Sequence, residues 1–119
     1  MSAEALREQA RRGLKVAAHT TSPAERYAVA HLAALRGCAA VLAERTRPDN
    51  GRRRPRSAWA LLPEVAPELS EWAAFFAARA ARRSAIDAGV AGPVTPAEAD
   101  DLVRDVGAFL NLVDGQVPA

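Results

Sequence analysis

At 119 residues, half of them apolar and 29 of them alanine, the chain can hold one core of three to five helices. It lacks the valine, isoleucine and aromatic runs of a β-fold. A single cysteine, Cys38, and two histidines exclude an internal disulfide framework and argue against a structural zinc site. The net charge of +2 is unevenly spread, with twelve basic and five acidic groups in residues 1–60 against four and nine in residues 61–119, an asymmetry that suits an anionic partner or self-association.

The first element covers residues 3–18, where Leu6, Ala10, Leu14 and Ala17 recur at spacings of three and four and predict an amphipathic helix. It either docks on the rest of the chain or swings out as an arm. The segment has no apolar h-region of a secretory signal, and no run of about 20 apolar residues follows it. The expectation is a cytoplasmic protein that does not cross a membrane.

Ser22-Pro23-Ala24-Glu25 is a helix start, with serine capping the exposed amides, proline at the first helical position and glutamate closing the capping box. The helix runs to about Arg45. Its apolar stripe is Ala24, Ala28, His31, Leu35, Cys38 and Leu42, flanked by Tyr27, Leu32 and Ala39, which predicts one buried side. Pro48, Asn50-Gly51 and Pro55 then make residues 46–57 an arginine-rich loop.

Ser57 caps a short helix over "AWALL" that stops at Pro63, and Pro67 opens a long helix with Leu69, Trp72, Ala73, Phe76 and Ala80 on one face, ending at Gly89. Thr95-Pro96-Ala97-Glu98 repeats the cap logic. The last helix carries Ala99, Leu102, Val103, Val106, Phe109, Leu110 and Val113 as its buried stripe. The fold class is all-α: an antiparallel helical bundle of four to five helices. Residues 1–21 form an N-terminal helix and connector, residues 22–115 the bundle, and residues 116–119 a tail.

Chemistry concentrates in two places. Arg26 and His31 pair a guanidinium that can hold a phosphate with an imidazole that can move a proton, and no metal is needed for that combination to cut RNA at a ribose 2′-hydroxyl. Five residues along a helix put the two side chains about 140° apart, so converging on one phosphate calls for a second copy of the chain. The bland alternative is a half-buried His31 bonded to Tyr27 and a solvated Arg26. Arg47, Arg52, Arg53, Arg54 and Arg56 are the densest positive charge and could track a nucleic-acid backbone, or simply be a charged surface loop.

The remaining candidates have bland readings. Trp59 anchors the short helix, and Trp72, Phe75 and Phe76 are core or dimer interface. Cys38 is a small buried hydrophobe. Asp100 and Arg104 make a surface pair at i,i+4, and Asp101 with Asp105 lacks the further oxygen ligands a metal needs. No cofactor motif and no metal site is read.

The stretches "RYAVAHLAALRGCAAVLAERTRP", "RPRSAWALLPEVAPELSEWAAFFA" and "ADDLVRDVGAFLNLV" together resemble an actinobacterial branch of the HEPN superfamily, over about residues 22–113. The resemblance implies an α-helical bundle that forms a two-fold homodimer. It also implies either metal-independent ribonuclease activity, whose signature of Arg, four to six residues, then His fits Arg26 and His31, or a non-catalytic binding module. In the familiar nucleases that signature lies in a late helix, whereas here it opens the first long one. The expected function is therefore an RNA- or nucleotide-directed HEPN-like domain, with RNA, a second copy and an unidentified protein as candidate partners. The alternative is a dimerisation or protein-interaction module without catalysis.

Overall fold

Four of the five helices in the computed structural model begin at a hydroxyl side chain that accepts the backbone N–H three residues on: Ser2 from Ala5, Ser22 from Glu25, Ser57 from Ala60 and Thr95 from Glu98. The structure describes residues 1–46 and 56–115, and Arg47, Arg52, Arg53, Arg54 and the 116–119 tail lie outside that range. The helices are α1 (Ala3–Ala18), α2 (Pro23–Arg45), α3 (Ala58–Val65), α4 (Ser70–Asp87) and α5 (Pro96–Val113), and a 3-10 turn at Pro67–Leu69 leads into α4. The described residues contain no strand.

Two boundaries differ from expectation. α3 continues through Pro63 to Val65 rather than stopping at the proline. A proline at that place forfeits only its own amide bond, and the Ala66 amide still reaches the Leu62 carbonyl at 2.8 Å. Pro67 opens the 3-10 turn, so α4 itself starts at Ser70.

α2 is the axis of the bundle and packs against α1, α3, α4 and α5. Side-chain pairs fix the directions. Ala33 faces Gly13, and Arg7 pairs with Glu44, so α1 is antiparallel to α2. His31 meets Phe76 while Tyr27 lies under Arg82, so α4 is antiparallel as well. Arg26 reaches Asp100 and Gly37 faces Leu110, so α5 runs parallel to α2.

The expectation of one buried stripe on α2 is therefore corrected. Ala30, Ala33, Ala34, Gly37, Ala40 and Val41 are buried along with Tyr27, Ala28, His31 and Cys38. Small side chains let four helices approach one helix from different sides. By length and composition alone α2 is long and apolar enough to cross a bilayer, contrary to the expectation from the sequence. It is the helix the other four cover.

The centre is aromatic. Trp59 from α3 stacks on Phe76 from α4 at 5.1 Å, and Phe109 from α5 meets Phe76 edge-on at 5.1 Å. Trp72 stacks on the other side of Phe76 at 5.8 Å and is half-buried. α4 and α5 both lean on α2 and leave a groove between themselves, with Tyr27 of α2 among the lining residues.

Candidate functional site

His31 is sealed into the core, with 1% of its surface exposed. Its Nε2–H donates to the Phe76 carbonyl at 2.9 Å, and its ring stands edge-on to Trp59 and Phe76. A carbonyl only accepts, so Nε2 carries the proton of this bond. Nδ1 is buried without a hydrogen-bond partner. Burial lowers the imidazole pKa below the ordinary 6.5, the Phe76 bond opposes the shift, and the nearby Arg83 and Arg79 charges reinforce it. The expected partner Tyr27 is corrected to Phe76, because Tyr27 lines the groove between α4 and α5.

Arg26 sits at the other edge of α2 with each of its three guanidinium nitrogens in a hydrogen bond. Nε donates to the Thr20 carbonyl at 2.9 Å, one terminal nitrogen donates to the Thr21 carbonyl at 3.1 Å, and the other to Asp100 at 2.6 Å. These bonds tie the α1–α2 connector and the first turns of α5 to α2. The structure does not bring Arg26 and His31 together within one chain. Four helices pack against α2, and Leu32, Leu35, Ala39 and Leu42 are among its part-exposed apolar residues.

The other sequence candidates fall as follows. Arg56 is the one arginine of the 46–57 segment within the described residues, and it pairs with Glu64 of α3. Asp100 bonds Arg26 rather than Arg104. Arg104 instead lies 3.2 Å from Asp101 and 3.9 Å from Asp105, a correction to the expected surface pair. Trp59 is buried in the core. Cys38 donates its S–H to the Ala58 carbonyl at 3.5 Å, and burial pushes its thiol up to about 12, so it holds its proton and is a poor nucleophile. Among the described residues, no group of three or more His, Cys, Asp or Glu side chains could hold a metal.

A concavity between α4 and α5 was not legible in the sequence. It encloses about 530 Å³ and is lined by Tyr27, Arg79, Arg82, Glu98, Asp101 and Asp105, with Ala78, Leu102 and Arg104 beside them. Arg82 pairs with Glu98 and donates to the Pro93 carbonyl at 2.9 Å. Glu98 is held down to about 2, first by Arg82 and then by the Thr95 amide and hydroxyl of the capping box. The one signal for this site was the Thr95–Glu98 cap, which located Glu98 without revealing what lay opposite.

Residues 17–114, from the end of α1 through α5, match the family described as SAV_6107-like HEPN. A search of the curated proteins and of the solved structures finds no match to the chain. The match covers most of the sequence, and the helical bundle agrees with it. The chain is a HEPN domain and belongs to the SAV_6107-like HEPN family.

Proposed function

We propose that this HEPN domain is a non-catalytic helical module that self-associates, with Arg26 and His31 holding the fold rather than cutting RNA. The observation that carries the reading is the burial of His31. A general acid or base must come within hydrogen-bond reach of the substrate's proton, and a ring 1% exposed behind Trp59 and Phe76 does not. Arg26 points the same way, because all of its bonded nitrogens are committed to Thr20, Thr21 and Asp100.

Self-association is supported by the outer face of α4. Ala74, Ala77, Ala81, Ser84 and Ala88 are all exposed and recur at three- and four-residue spacings, so a second helix can approach closely. The HEPN family resemblance also implies a two-fold dimer. Phe76 lies about 120° around α4 from the middle of this stripe, so pairing through it leaves His31 behind Trp59 and Phe76.

The test combines two measurements on the full chain: incubation with structured RNA in EDTA, and mass by light scattering. The reading expects intact RNA, a dimer mass, and a monomer mass for Ala77→Arg. A wild-type monomer would overturn the self-association. EDTA-resistant cleavage that disappears in a folded His31→Gln variant would overturn the non-catalytic reading. It would restore Arg26 and His31 as a ribonuclease pair, with Arg47, Arg52, Arg53, Arg54 and Arg56 as RNA contacts.

A further inference from the structure

We propose that the groove between α4 and α5 binds a small oxyanion, the phosphate or carboxylate of a soluble molecule, through the Tyr27 hydroxyl and the Arg79 guanidinium. Three observations carry it, and none depends on the oligomeric state.

Tyr27 is only 4% exposed, yet it lines the groove and its hydroxyl makes no hydrogen bond among the described residues. The hydroxyl is not among the buried side-chain atoms left without a partner, so it is the part of the residue that opens into the groove. Burial raises the hydroxyl's pKa above the ordinary 10, against the pull of Arg79 and Arg82, so at neutral pH it is a protonated donor. A donor held in a groove without an acceptor is preorganised for one brought from outside.

Arg79 supplies the charge. Its guanidinium lies 3.5 Å over the Phe75 ring and spends one hydrogen bond, of 2.8 Å, on the Phe75 carbonyl of its own helix. Among the described residues it has no carboxylate within ion-pair distance, whereas Arg82 is neutralised by Glu98 and Arg104 by Asp101 and Asp105. Stacking fixes the plane of the guanidinium and leaves further N–H groups for a planar or tetrahedral oxyanion.

The opposite wall shapes what accompanies the oxyanion. Asp101 and Asp105 line the α5 side, so hydroxyl or ammonium donors on the ligand would be favoured there and a second anionic group disfavoured. A volume of about 530 Å³ is in the range of small-molecule sites rather than of a lone ion.

The experiment titrates the uniformly ¹⁵N-labelled full chain with inorganic phosphate, acetate and O-phosphoserine at constant ionic strength, and follows amide shifts. Saturable shifts clustered on residues 27, 78–82 and 98–105 are expected, tightest for O-phosphoserine. Tyr27→Phe, which keeps the ring and loses only the hydroxyl, should weaken binding about tenfold, as loss of a charge-assisted hydrogen bond does. Arg79→Gln should weaken it at least as much. Phosphate binding above acetate identifies a phosphate ester as the ligand type, and comparable binding a carboxylate; both support the site. Non-saturating shifts for all three probes, or affinities unchanged in both folded variants, would overturn it.

Discussion

Arg26 reaches Asp100 at 2.6 Å across 74 residues of chain, joining the first turns of two parallel helices, α2 and α5. The two partners are not equally committed: the Arg26 side chain is 16% exposed, that of Asp100 68%. Arg26 also caps the Thr20 and Thr21 carbonyls, which Asp100 does not touch.

Arg26→Ala should therefore cost more than Asp100→Asn. An exposed ion pair is worth at most about 1 kcal/mol, and each of the two further charge-assisted bonds to backbone adds about 1.5 kcal/mol. Urea denaturation of the two variants checks this. Equal losses would mean that the backbone bonds contribute nothing.

Two glycines in the bundle should respond oppositely to alanine. A Cβ at Gly37 would lie 2.5 Å from Leu110 Cδ2 and 3.5 Å from Phe109 Cε2, and Leu110 is itself packed in the core. Overpacking of this kind costs about 1–3 kcal/mol, which outweighs the roughly 1 kcal/mol that alanine gains over glycine in a helix. At Gly107 the added Cβ meets only Leu14 Cδ2, at an ordinary 3.7 Å. Gly107→Ala should raise the melting temperature and Gly37→Ala lower it.

Acid should weaken the fold through His31. Its pKa is lowered by burial, so the unfolded chain takes up the proton first. The stability that neutral His31 contributes is full above the ordinary value of 6.5 and is lost as pH falls from there toward the depressed folded value. A second decline begins near 4.5, the ordinary value for Glu98, and runs to about 2. Urea midpoints between pH 8 and 5 should fall in the wild type and fall less steeply in a folded His31→Gln variant. Equal slopes in both would remove His31 as the cause.

The parts of this structure that were legible in the sequence are local. Ser22-Pro23, Ser57 and Thr95-Pro96 announce helix starts because a cap and its amide are three residues apart. The α5 stripe reads correctly because Leu102, Val106, Phe109 and Leu110 are large enough to mark the buried side. α2 misleads for the opposite reason. Its further buried faces are made of Ala30, Ala33, Gly37 and Ala40, and small residues carry no periodic signal that separates inside from outside.

Partners set by tertiary packing were out of reach for the same physical reason. Tyr27 lies one turn before His31, so local geometry favours a bond between them. The approach of α4 instead gives His31 a carbonyl and leaves Tyr27 in a groove. Asp100 has Arg104 one turn away, yet it bonds Arg26 of another helix. The Arg26–His31 spacing is a local pattern, while the burial of the imidazole depends on Trp59 and Phe76, 28 and 45 residues further along the chain.

The most direct measurement is a long-range ¹H–¹⁵N correlation of the histidine side chains as pH is lowered. His31 should show the Nε2–H tautomer, a slowly exchanging ring proton and no titration at the ordinary value of 6.5. A His31 ring that titrates at 6.5 with rapid proton exchange would be open to solvent. That result would contradict a structural role and return the imidazole to the list of groups able to act on RNA.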